Sequence, residues 1–194
     1  MSDYIVIKCG GSMLDQLNHV FFGCIKKLQQ KYKVVIVHGG GPEIDAKLKE
    51  CHIKVEKRDG LRVTPKEVRD VVQMVLCGST NKKFVMNLQK NNLLAVGLSG
   101  CDGNLLQVQP VSEEIGYVGE VSYVETTLLK KLIDMNYIPV IAPIGINGNE
   151  VYNINADTVA AGIADALSAK ELIFITDVDG ILHEGKLVKK TDES

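Results

Sequence analysis

The sequence predicts a three-layer α/β sandwich built on a central, mainly parallel sheet. Three observations lead there. Short apolar runs recur along the 194 residues and are continuous rather than alternating, as strands buried on both faces must be. Between them lie segments with apolar residues every three or four positions, as crossover helices require. Glycine-rich stretches stand where strands end and helices begin, most visibly Gly39-Gly40-Gly41-Pro42.

Residues 4–7 form the first strand. Val20, Phe21, Cys24, Ile25, Leu28 and Tyr32 then recur at helical spacing and predict one apolar face. A second buried strand covers 34–37. Pro42 suits the first turn of a helix carrying Ile44 and Leu48. Val68, Val71, Val72 and Val75 mark the next helix, and 93–98 the next strand. Residues 116–124 alternate in a hairpin-like way. Leu128, Leu129, Leu132 and Ile133 are helical, and 138–142 is a strand. Val159, Ala160, Ile163, Ala164 and Leu167 give the last helix, and 172–175 the last strong strand. Only one short turn follows before Ser194, where a layered α/β domain normally adds a helix, so an incomplete domain is expected.

Composition narrows the function. A 45% hydrophobic share supports a real core. Lys and Arg total 22 against 24 Asp and Glu, a formal charge of -2, so no broad basic surface exists to bind nucleic acid. A small anion needs only a local positive pocket and stays possible. No apolar run approaches the roughly 18 residues of a membrane helix. The five cysteines are widely spaced, without C-x-x-C, and no leader pattern is visible at the N-terminus; a cytoplasmic protein is expected. Neither cysteines nor histidines show metal-ligand spacing, so no metal held by protein side chains is expected.

Five segments carry chemistry. Lys8-Cys9-Gly10-Gly11-Ser12 follows a buried strand, where ligands of open α/β sheets sit; the lysine offers a charge and Gly10 and Gly11 offer unobstructed N–H groups. A surface turn with an incidental lysine is the plain alternative. His38-Gly39-Gly40-Gly41-Pro42 presents a strip of N–H donors at a helix start, suited to phosphate or carboxylate. Ile44 stands at the third glycine position of G-x-G-x-x-G, which excludes a dinucleotide fingerprint. In Gly60-Leu61-Arg62-Val63-Thr64, Arg62 is a candidate carboxylate clamp or a surface ion pair. In Asn153-Ile154-Asn155-Ala156-Asp157, Asn155 or Asp157 can cap the following helix. Asn153 and Asp157 are four apart and would share a helical face if the helix begins early.

The fifth segment runs from Ile175 to Leu182. Asp177-x-Asp179-Gly180 resembles a haloacid dehalogenase nucleophile loop, yet almost no chain follows it. Gly180, Gly185 and Lys186 fit G-x-x-x-x-G-K, but Leu187 replaces the Ser or Thr of a P-loop. Gly180 and Gly185 read better as turn glycines of a hairpin. Cys9 beside Lys8 has no His/Asn set to make it a nucleophile.

In this order the five segments resemble the amino acid kinase family, over residues 5–188. Gly60 to Thr64 and Asn153 to Asp157 are most similar to members acting on N-acetyl-L-glutamate. The resemblance implies the αβα sandwich shared with carbamate kinase, with residues 1–170 binding the acyl amino acid and 171–194 beginning the nucleotide domain. It implies ATP as phosphoryl donor, with Mg2+ held mainly by the nucleotide phosphates, and a homodimer. It places Lys8 on the transferring phosphoryl group and Asp157 as orienter of catalytic lysines. Gly40, Gly41, Arg62 and Asn153 would bind substrate, and Gly10, Gly11, Thr176, Asp177 and Gly180 phosphate or nucleotide. Family members continue for several tens of residues further, carrying a second lysine and much of the adenine pocket. The alternatives are a kinase of glutamate, aspartate, carbamate or UMP, a binding fragment without turnover, or a phosphatase using Asp177 and Asp179.

Overall fold

The computed structural model describes residues 3–13, 16–58 and 60–176, with the backbone of 182–183 and 186–187. Five parallel strands form the central sheet: β1 (Tyr4–Cys9), β2 (Lys33–His38), β5 (Ala95–Ser99), β8 (Ile138–Ala142) and β11 (Glu171–Ile175). Their order is β11-β1-β2-β8-β5. Val34, Val35, Ile36 and Val37 are all buried, because neighbouring side chains on β2 face opposite covered sides of the sheet.

One side is covered by α1 (His19–Gln29) and α4 (Asn81–Lys90), through Phe22, Ile25, Phe84, Val85 and Leu88. The other is covered by α5 (Thr127–Asp134) and α6 (Ala156–Ala166), through Leu129, Ile133, Val159, Ala160 and Ile163. The sandwich is therefore the expected one, and β1 and β2 lie near its centre. One expected face needs correction. Val20 and Cys24 are exposed on α1, and Phe22 is buried in their place. The helix starts at His19, capped by the Asn18 side chain, and its buried face runs through Phe22 and Ile25.

Two features lie outside the expected pattern. Strands β6 (Leu106–Pro110), β7 (Val118–Val124), β9 (Ile144–Asn147) and β10 (Glu150–Ile154) close into a small barrel over one end of the sandwich. Residues 116–124 thus do supply an antiparallel strand, paired with β6, but β7 also pairs in parallel with β10. The helix α3 (Lys66–Gln73) continues through a π-helical stretch, Met74–Thr80, directly into α4. This stretch and α2 (Gly41–Glu50) pack into a third apolar cluster with Ala142 and Ile144. The short strands β3 (Lys57–Arg58) and β4 (Leu61–Arg62) form a hairpin beside α2. At the end, β12 (Leu182–His183) pairs antiparallel with β13 (Lys186–Leu187), while the expected turn glycines Gly180 and Gly185 lie outside the described residues.

Candidate active site

A cleft of about 400 Å³ opens at the carboxyl ends of β1 and β2. Its lining draws on all five segments: Lys8, Gly10 and Gly11; Gly39, Gly40 and Gly41; Arg62; Asn153 and Asp157; and Thr176. Asp177 and Gly180 lie outside the described residues, as do Asp179 and Gly185.

Lys8 sits on β1 with its alkyl stem half-buried, and its Nζ meets Asp157 Oδ1 at 2.8 Å. Its neighbour Cys9 points to the opposite face, into the core, where burial pushes the thiol up to about 12 despite Lys8. Cys9 therefore stays protonated and structural, since reactivity requires the thiolate.

The glycine strips touch. A Cβ on Gly11 would stand 2.7 Å from Gly40 N, 2.8 Å from Gly40 Cα and 3.0 Å from Gly41 N. Those are backbone atoms, and Gly39 N is itself tied to the Cys9 carbonyl at 2.9 Å. Gly11→Ala is therefore expected to force the strips apart. A loss of roughly 1–3 kcal/mol, the usual range for overpacking, should appear in urea denaturation. An unchanged midpoint would show that the contact yields freely.

The first turn of α2 has no side-chain cap, and Gly40, Gly41 and Pro42 at that end line the cleft. The start of α6 lies across from it. There Asn155 caps the helix, accepting from Asp157 N at 2.7 Å. The shared-face premise for Asn153 and Asp157 does not hold: Asn153 belongs to β10, and the helix begins at Ala156. The two reach one cleft through a strand-to-helix junction. The barrel fixes Asn153, whose N–H donates to the Tyr117 carbonyl at 2.9 Å.

Arg62 is buried, and its guanidinium is engaged by Asp45 of α2. Lys57 approaches the other Asp45 oxygen at 3.6 Å. Asp45 and Lys57 were not anticipated, because their pairing with the Arg62 hairpin spans different elements. The hairpin is anchored by Thr64, which donates to the Ile115 carbonyl at 2.8 Å and accepts from Tyr117 N at 2.8 Å. Gly116 makes this approach possible. Its φ is 71°, and a Cβ there would stand 2.5 Å from the Thr64 oxygen.

Among the described residues three cations, Lys8, Lys57 and Arg62, line the cleft with one carboxylate, Asp157, and Asp45 engages Arg62 and Lys57, so cations outnumber carboxylates by three to two. A chain of net negative charge thus concentrates positive charge at one point, with glycine N–H groups and two helix starts beside it. This suits an anion carrying several oxygens. No described helix is long and apolar enough to cross a membrane.

A profile of the amino acid kinase family matches residues 3–193. An acetylglutamate kinase of Bacillus mycoides (strain KBAB4) is 90% identical over 193 residues, covering 100% of this chain and 76% of the relative. A crystal structure of a Streptococcus mutans UA159 protein superposes with a TM-score of 0.91 at 33% identity, over 96% of this chain and 77% of that one. N-acetylglutamate synthase from Neisseria gonorrhoeae, complexed with coenzyme A and N-acetyl-glutamate, has the same fold at a TM-score of 0.78 and 22% identity, over 96% of this chain and 44% of that one. With a family profile that spans nearly every residue and a relative at 90% identity, the chain belongs to the amino acid kinase family.

Proposed function

We propose that this chain phosphorylates the side-chain carboxylate of N-acetyl-L-glutamate with ATP, giving N-acetyl-L-glutamyl 5-phosphate, a step of arginine biosynthesis. The observation that carries the reading is the convergence of Lys8, both glycine strips, Arg62 and Asn153 on one cleft. The acetylglutamate kinase relative, 90% identical across the chain, supports the choice of substrate.

The chemistry asks little of a base. A glutamyl carboxylate has a pKa of about 4.3 and is already ionised at pH 7. The obstacle is repulsion between this anion and a polyphosphate. Arg62 and Asn153 hold the α-carboxylate of the acyl amino acid. Gly40 and Gly41 direct N–H groups to its reacting end, and Gly10 and Gly11 to phosphate oxygens. Lys8 neutralises the transferring phosphoryl group, and Asp157 orients Lys8 without taking a proton. Thr176, Asp177 and Gly180 begin the nucleotide side. Positioning and charge together supply the rate, as in other phosphoryl transfers.

The donor set of the cleft, an ammonium and glycine N–H groups, fits phosphate oxygens. Among the described residues no three His, Cys, Asp or Glu side chains converge as a metal site. Magnesium carried on the nucleotide phosphates would add positive charge to the transferring group. Residues 1–170 serve the acyl amino acid and 171–194 open the nucleotide half. The protein works in the cytoplasm as a homodimer.

Calorimetric titration with N-acetyl-L-glutamate, with free glutamate as comparison, tests the substrate; ADP release tests turnover. Binding of the acetylated compound alone supports the reading. Preference for glutamate or aspartate reverses it, and binding without ADP release leaves a module that holds its ligand unreacted. Arg62→Lys should raise the Michaelis constant for acetylglutamate about tenfold while leaving turnover nearly intact, because an ammonium cannot match the two-pronged guanidinium contact. An unchanged constant removes Arg62 from the substrate site.

A further inference from the structure

His38 ends the apolar strand β2, is completely buried, and directly precedes the glycine strip. Both ring nitrogens are engaged. Nδ1 lies 2.8 Å from the Gly39 carbonyl oxygen, and Nε2 lies 3.1 Å from Asn81 Nδ2. The proton positions follow from Asn81. Its amide nitrogen donates to the Val140 carbonyl at 2.9 Å. Its oxygen accepts from Lys82 Nζ at 3.1 Å. With the amide so oriented, only an N–H can face His38 Nε2. That nitrogen must accept, so the ring proton sits on Nδ1 and is donated to Gly39.

Asn81 is the first residue after the π-helical stretch, a feature that recurs at functional sites. The same stretch brings Leu76 and Thr80 beneath the strip: a Cβ on Gly40 would meet them at 2.6 and 3.5 Å. The widened stretch therefore supports the underside of Gly40, and the residue that follows it fixes the tautomer of His38.

We propose that His38 is a positioning residue of the cleft: its Nδ1–H holds the Gly39 carbonyl and so fixes Gly39 to Gly41 against Gly11, while Asn81 selects the tautomer that allows it. This deepens the reading of Gly40 and Gly41 as substrate donors and rests on it for its functional consequence.

Two variants separate the ring nitrogens. In His38→Asn the amide nitrogen takes the place of Nδ1 and still reaches Gly39, but the reach to Asn81 is lost. In His38→Gln the longer amide keeps the side toward Asn81 and loses the Nδ1 donor. Both lose the ring that stacks on Phe84 at 6.3 Å, so both lose stability. The measurements are hydrogen exchange at the Gly39 amide, which is bonded to the Cys9 carbonyl, and the dissociation constant for N-acetyl-L-glutamate. His38→Gln should speed exchange and weaken binding by about tenfold each, the scale of one lost buried hydrogen bond; His38→Asn should rescue both to within about threefold of wild type. Equal changes in the two variants, tracking stability alone, overturn the proposal. If exchange separates the variants while the wild-type protein does not bind acetylglutamate, the clamp stands and the substrate reading fails. Ring 15N shifts of wild-type His38 need no variant: a proton on Nδ1 supports the proposal, and one on Nε2 overturns it.

Discussion

Replacing Lys8 with alanine should lower turnover about a hundred- to a thousandfold, the cost typical of removing one preorganised charge or donor from a transition state. The fold should survive. The Lys8 backbone remains paired on both sides, with β11 and β2, and the adjacent core positions Ile7 and Cys9 are untouched. The abandoned partner, Asp157, has a side chain 54% exposed and can be hydrated in place. The stability change should therefore stay within about 1 kcal/mol, as for other half-exposed ion pairs. Steady-state ADP release and thermal denaturation on the same samples make the comparison. Near-normal turnover would remove Lys8 from the phosphoryl group. A collapse of stability alongside turnover would make the lysine a structural partner of Asp157.

The central sheet was legible because its strands are buried on both faces, which leaves unbroken runs such as Val34 to Val37 and Ile138 to Ala142. The barrel was not. Leu106 and Val108 face inward while Gln107 and Gln109 are exposed, a short alternation that a loop also allows. Gly145 packs against Val108 and Ile154 with no side chain to mark its strand. The parallel pairing of Asn153 with Val118 joins segments far apart in sequence, and no local pattern announces it. The π-helical stretch escaped for a related reason, since Val68 to Val75 keep ordinary helical spacing up to its first turn.

The site was legible as a set of strand-end motifs, and the sheet brings them together because its parallel strands all end on one side. What the motifs lacked were their supports. Asp45 lies one position from the buried Ile44 on α2, and only the folded hairpin shows that it meets Arg62. His38 did carry a signal: a polar residue closing an otherwise apolar buried strand. Its second nitrogen, Nε2, is engaged by Asn81, which arrives from a helix 43 positions away.

His38 should also write its signature on the pH dependence of stability. Burial depresses its pKa from the ordinary 6.5 to about 4, reinforced by the nearby Lys82 charge and opposed by the bond to Gly39. Between those values the unfolded chain binds a proton that the folded chain refuses. Stability must therefore fall as pH drops through this window, with the His38 contribution complete above about pH 7 and exhausted below about pH 4. The interval corresponds to roughly 3 kcal/mol. Carboxylates titrate over part of the same range, so the informative quantity is the difference between wild type and His38→Asn, which lacks the ring. That difference in unfolding free energy, from urea denaturation between pH 4 and 8, should be constant above pH 7. Toward pH 4 it should shift against wild type by roughly 3 kcal/mol. A flat difference would mean that His38 accepts its proton in the folded protein as readily as in the unfolded one. A neutral imidazole between Asn81 and Gly39 would then be excluded at acid pH: the imidazolium would keep its Nδ1–H on Gly39 but could no longer accept from Asn81, so Asn81 would not set the protonation of the ring there.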